Sequence, residues 1–345
     1  MANFIQLHML TAYPPANLNR DDLGRPKTAR MGGFERLRVS SQSLKRTWRT
    51  SDLFQEALSG HVGTRTKRLG TEVHARFVDA DIKDKDAQAW ARKIAGVFGA
   101  LKKDGVEIEQ LAHISPEERG AVDDLVGVLI EEKREPSEQE LNLLRAKPSA
   151  ADVALFGRML AAHPVYNVEA ACQVAHAITV HPVVIEDDYF TAVDDLNRGD
   201  EDMGAGHIGE TGFAAGLFYS YICINHDQLV DNLGGDEDLA NKAVEALTEV
   251  AIKVSPRGKQ NSFGSRAYAS YVLAEKGTQQ PRSLSVAFLK PVQSHDHATS
   301  AVEMLERQRE HFDRVYGACA DERYEINALE GAGTLEEMKA FLTRH

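Results

Sequence analysis

The sequence predicts an α+β fold: a ferredoxin-like β-α-β-β-α-β core with one extra strand and one extra helix, interrupted by a large helical insertion. Three observations carry this. Segments with a two-residue apolar period alternate with segments of helical period. A stretch of more than a hundred residues, about 60–178, reads as mostly helical and separates the first helix from the next strand. The chain of 345 residues is 43% hydrophobic and 27% charged, enough apolar surface for one large domain or two ordinary ones and too much for intrinsic disorder.

The first strand is residues 3–11, with Ile5, Leu7 and Met9 on one face and Gln6 and His8 opposite. A polar loop from 14 to about 36 follows. Ser40 and Ser41 supply an N-cap for a helix over 42–58, with Leu44, Trp48 and Ser51 on one side. Within the insertion, Trp90, Ile94, Val97, Phe98 and Leu101 mark a helix, and another covers 117–132. Ser137 with Glu140 reads as a capping box for a third. Further helices are expected near 149–160 and 168–178. The period then changes. Residues 178–185 read as a strand, 186–212 as a long acidic loop or extended hairpin, and 213–225 as a strong strand. A helix over 236–254, strands over 267–274 and 284–289, and helices over 297–316 and 335–342 complete the chain. This order is shared with RNA-recognition-motif folds.

The total charge is −12, unlike a generic nucleic-acid binder. Its distribution is uneven. Residues 20–49 hold nine basic side chains and three acidic ones; that +6 segment leaves −18 on the other 315 residues. A basic strip on an acidic body is a local anion site. Gln42, Lys45, Arg46 and Arg49 fall at i, i+3, i+4 and i+7, so they line the helix face opposite Leu44 and Trp48. A Ser-capped helix N-terminus offers free N–H groups to a phosphate, and Lys45 and Arg49 stand one and two turns on. The bland alternative is a solvated helix surface.

Other motifs are weaker. Gly204, Gly206 and Gly209 match GxGxxG, but follow an acidic loop and precede a strand, the reverse of a dinucleotide site. The thirteen histidines lack metal-ligand spacing, and the isolated Cys172, Cys223 and Cys319 exclude disulfide frameworks and CxxC zinc sites. Neither a metal nor a cofactor is expected. Asp187-Asp188 and Asp194-Asp195 are poorly oriented for acid–base work, whereas Asp21-Asp22, in the basic loop, leave room for a metal-dependent RNA-cleaving nuclease. In Tyr189-Phe190-Thr191 the two rings offer aromatic faces for base stacking; Arg158 and Met159 lie late in the insertion, where core packing is the ordinary account. No apolar run spans a bilayer and the N-terminus has no secretory pattern, so a cytoplasmic protein is expected.

Taken together, LNRDD (18–22), GG (32–33), RVSSQSLKR (38–46), GRM (157–159), AHAIT (175–179), YFTAVDDL (189–196), GHIG (206–209) and NLGG (232–235) resemble the CasC family, the RAMP-type backbone subunits of type I-E CRISPR Cascade complexes. The family's Trp-Phe pair stands here as Tyr189-Phe190. The resemblance implies a palm in two parts, 1–59 and 213–345, joined by a palm strand at 178–185. Helical fingers would occupy 60–177 and a hairpin thumb 186–212. It implies a non-catalytic subunit that polymerises head-to-tail along CRISPR RNA in antiviral defence, pairing with target DNA by way of the guide. Its implied partners are copies of itself and the large, small, guide-end cap and guide-processing subunits, with no membrane. Arg20, Lys27, Ser40, Gln42, Lys45 and Arg49, with Arg38 and Arg46, would hold the RNA backbone. Arg158 and Met159 would stand at a kink, and Tyr189, Phe190 and Thr191 along the thumb's path.

Overall fold

The computed structural model describes residues 3–192 and 207–344. Strand β1 (Phe4–Ala16) is longer than the alternation suggests. Ile5, Leu7 and Met9 are buried as expected, but Gln6 and His8 on the other face are buried too, because that face is also covered. Where a continuous loop is expected, β2 (Thr28–Met31) and β3 (Phe34–Val39) form a hairpin. It turns at Gly32-Gly33, both at positive φ, and a Cβ on Gly32 would lie 1.7 Å from the Leu289 carbonyl oxygen.

Two helices replace the single one expected over 42–58: α1 (Ser41–Arg49) and α2 (Asp52–Ala57). Ser51 causes the break. Its hydroxyl donates to the Trp48 carbonyl and accepts from the Phe54 N–H, which makes it the N-cap of α2.

The insertion contains β4 (Thr64–Thr66), α3 (Leu69–Asp79), α4 (Asp84–Gly96), β5 (Ala112–Ile114), α5 (Pro116–Glu132) and α6 (Ala151–Phe156). It has a core of its own around Phe77, Trp90, Ile94, Val122 and Leu129. The Ser137–Glu140 capping hydrogen bonds form, yet no helix follows; Arg134 grips the same Glu140 carboxylate and holds the segment in turns.

The helix expected over 168–178 is instead β6 (Cys172–Val174) and β7 (Ala177–Thr179), both paired to a later strand. The strand expected over 178–185 stops early, since Pro182 has no N–H to give a ladder. Next come β8 (Glu186–Ala192) and β9 (His207–Asn225), paired from Glu186↔Phe213 to Ala192↔His207. The tip between them lies outside the described residues, with Asp194-Asp195 and Gly204-Ala205-Gly206.

Then follow α7 (His226–Asn232), α8 (Glu237–Lys253), α9 (Gln260–Phe263), β10 (Ala269–Gly277), α10 (His297–Tyr316), β11 (Glu322–Asn327) and α11 (Leu335–Thr343). Residues 284–289 are not a strand. A 3-10 turn, Ser285–Phe288, buries Leu284 and Phe288 together, a helical spacing that the apolar run concealed.

The main sheet runs β11-β10-β1-β9-β7-β3-β2, antiparallel throughout, with β6 and β8 also on β9. Residues of α1, α2, α8 and α11 share the core on one face with Ile5, Leu7 and Met9. On the other face α10 and the 3-10 turn cover Leu10, Tyr219, Tyr271 and Leu273.

Candidate nucleic-acid interface

Leu44 and Trp48 are buried and fix the rotation of α1. Ser40 is its N-cap: the Oγ accepts from the Ser43 N–H, and the Ser40 N–H donates to Asn19 Oδ1 at 2.9 Å. That second bond ties the helix start to the basic loop. Gln42 and Arg46 are exposed, while Lys45 and Arg49 are half-buried.

The basic face divides into two flanks. On one, Lys45 Nζ lies 5.6 Å above the Phe156 ring. Beside it Arg49 Nη1 is 3.5 Å from Asp152 Oδ2, a fully buried carboxylate that also holds His113 Nε2 at 2.7 Å and the Gly63 N–H at 2.8 Å. Arg49 is therefore drawn into an ion pair with the insertion and is not a free cation on an open helix face. On the other flank Arg46, Ser43, Thr47 and Thr50 join Arg20 and Arg257 around a groove of about 500 Å³.

Arg257 was not anticipated, because it lies 208 residues beyond Arg49 in a loop after α8. Its Nη2 donates to the Thr50 carbonyl at 2.8 Å. Gly258 permits this approach: a Cβ there would lie 2.1 Å from the Leu18 carbonyl oxygen. The only local signal in the sequence is a basic-glycine run, Arg257-Gly258-Lys259.

The loop before β2 is built around Asp21, whose Oδ1 accepts the N–H groups of Leu23 and Arg25, both at 2.9 Å. That turn holds Arg20 and Asp22 exposed, and Arg25 reaches Asp187 of β8 at 3.0 Å. Lys27 and Arg38 are half-buried, and Arg38 Nη1 lies 2.8 Å from His176 Nδ1. Burial, then Arg38 and Lys27, lower the His176 pKa, so this imidazole is the neutral acceptor. Among the described residues, Arg20, Lys27, Arg38, Lys45, Arg46 and Arg257 make no ion pair with a carboxylate. Arg36, part of the same basic run, is fully buried and donates to the Thr179 and Phe288 carbonyls.

Gly157, at φ +80°, turns the chain at the end of α6. The turn sends the next two side chains in opposite directions. Arg158 is buried: Nη1 donates to both Glu118 oxygens at 2.7 and 2.8 Å, and Nη2 to the Arg145 and Tyr166 carbonyls. It is a structural cation, and the expectation that it meets RNA is corrected. Met159 is 80% exposed, so the core-packing account fails for it, whereas Leu155 is fully buried.

Tyr189 and Phe190 are exposed on β8, and so is Thr191. Phe190 stands opposite Gly209, where a Cβ would lie 2.3 Å from Phe190 Cζ. That contact explains the last glycine of GHIG. Elsewhere, burial pushes the Cys172 thiol up to about 12. Among the described residues no His, Cys, Asp and Glu side chains cluster as a metal site, and no helix is long and apolar enough to cross a membrane.

The model of a family described as CT1975-like protein matches residues 5–341. Among solved structures, a chain of a "CRISPR RNA-guided surveillance complex, pre-nicking" is similar at 29% identity and a TM-score of 0.81, covering 98% of this chain and 99% of that one. A chain of a "CRISPR RNA-guided surveillance complex" is similar at 25% identity and a TM-score of 0.59, with the same coverage. No curated protein matches the chain.

Proposed function

This chain belongs to the CT1975-like protein family, and from that premise we propose that it is a non-catalytic, guide-RNA-binding backbone subunit of a type I-E Cascade surveillance complex. Copies of it polymerise head-to-tail along the guide and present the spacer to target DNA. The observation that carries the reading is the groove beside α1, where Arg20, Arg46 and Arg257 converge with no carboxylate partner among the described residues. Guanidiniums in that state favour phosphate. A subunit that must hold any spacer has to bind phosphate and ribose and leave base edges free.

The path β10-β1-β9-β7, with α1 and α8 on its crossovers, supports a ferredoxin-like palm. In this reading the unit with its own core is the fingers and the β8–β9 hairpin is the thumb, which reaches a neighbouring copy with Tyr189, Phe190 and Thr191. Met159 wedges beside a displaced nucleotide. A head-to-tail contact that does not close yields a filament of the required kind.

The test is RNA copurified with the full chain. The parent should retain RNA protected at regular intervals, and Lys45→Glu with Arg46→Glu should lose it while keeping the parent melting temperature. Parent protein free of RNA, or a double variant that retains it, would sink the reading. Incubation with matched RNA and Mg²⁺ tests the non-catalytic part: regular cuts abolished by Asp22→Ala would replace it with a nuclease.

A further inference from the structure

Beyond Arg257 the surface carries a second hollow, of about 480 Å³, between the start of α2 and the chain that leads from α8 to β10. A hollow of this size is within the range of ~300–1,000 Å³ that accepts a compact ligand group. Arg257 lines both this hollow and the α1 groove. Arg266 and Tyr268 line its far side, and both are exposed. Arg266 makes no ion pair with a carboxylate among the described residues. Lys253 and Asp52 also line the hollow, but Lys253 Nζ is engaged by Glu249 at 2.7 Å. Two guanidiniums therefore face one carboxylate, Asp52.

Tyr268 is 66% exposed, and no other described ring packs on it. The next residue, Ala269, is buried and opens β10, so the tyrosine stands at the edge of the sheet. An exposed aromatic beside cations is the arrangement that receives single-stranded nucleic acid: stacking accepts any base, and guanidiniums hold the phosphates.

We propose that this hollow is a second nucleic-acid subsite, in which Arg257 and Arg266 hold successive phosphates of a single strand and one base stacks on Tyr268. The proposal rests on the RNA-binding reading above and extends it around the C-terminal end of α1. A protein surface seated there is the competing occupant. It is disfavoured because the two guanidiniums of the hollow outnumber its one carboxylate, so a protein partner would have to bury a carboxylate of its own there.

The experiment is fluorescence anisotropy of the full chain with a labelled oligouridine RNA over a range of salt, with light scattering for self-association. Arg266→Gln should reduce the slope of log K against log salt by about 0.7, the value of one single-strand phosphate contact. Tyr268→Ala should weaken binding about 5- to 150-fold at unchanged slope, the range for loss of one stacked base, and Tyr268→Phe should restore it. Arg46→Gln reports the α1 groove separately. Parent affinity and slope for both Arg266→Gln and Tyr268→Ala, with Arg46→Gln impaired, overturn the second subsite and leave the first reading standing. If Arg46→Gln is unimpaired as well, both fall. Lost self-association at unchanged RNA affinity would make the hollow a protein face and overturn the proposal.

Discussion

Replacing Arg158 with Ala separates a structural cation from an RNA contact. The Arg158 and Glu118 side chains are 1% and 0% exposed. Removing the guanidinium leaves Glu118 with the N–H groups of Ser115 and Arg145 as hydrogen-bond donors, and strips a donor from the Arg145 and Tyr166 carbonyls. Breaking a buried pair from one side costs about 3–5 kcal/mol. The unfolding entropy is about 2.1 cal/mol/K per residue, so a single transition of 345 residues carries ~0.7 kcal/mol/K. The expected loss is thus roughly 4–7 °C in melting temperature. The assay is thermal melting of Arg158→Ala, of Glu118→Gln and of the Glu118→Gln, Arg158→Met double variant, which removes both charges and should recover much of the loss. RNA binding, measured below the melting transition, should keep the parent salt slope. A melting temperature within about 1 °C of the parent, together with a shallower slope, would refute the assignment and return Arg158 to the RNA.

Two further predictions follow from burial. Leu155→Ala should cost about 2–5 kcal/mol, as core deletions do, whereas Met159→Ala should leave thermal stability nearly unchanged and blur the regular protection of bound RNA. A large drop in melting temperature for Met159→Ala would contradict its exposure. His8 is fully buried, with Nδ1 2.9 Å from the Tyr219 hydroxyl, and burial lowers its pKa against the opposing pull of Glu275. Its folded pKa lies below the unfolded value of about 6.5, so the unfolded chain binds the proton more readily and stability is lost as pH falls through that value. Melting at pH 7.5 and 5.5 should show the drop, which His8→Gln should reduce; an equal drop in the variant would assign it to other groups.

Much of this was legible because some signals are local. The caps at Ser40, Asp236 and Thr334 mark true helix starts, and the helical period over 297–316 is matched by α10 residue for residue. What stayed hidden depends on partners remote in sequence. Residues 168–178 read as helix, yet Cys172, Gln173 and Val174 pair with Ile224, Cys223 and Ile222. Strand β11 offers little apolar alternation, because it is an edge strand. The basic run over 20–49 combines three kinds of arginine that charge counting cannot separate: Arg36 inside the fold, Arg49 paired with Asp152, and Arg20 and Arg46 open in a groove. Arg257 completes that groove from a distance no spacing rule reaches.

The carboxylate of Asp152 has a mechanical consequence. It grips Arg49 at the end of α1, His113 on β5 and the Gly63 N–H just before β4; Arg49 is half-buried and the other partners are buried. Electrostatic attraction in such a setting is stronger than at the open surface and is screened much less by salt. Any pull that shifts α1 must strand this charge or carry the insertion with it, and the second course costs less. Asp152 therefore ties the helix and the insertion together at one point. By reciprocity, whatever braces the insertion from outside also stiffens the basic helix.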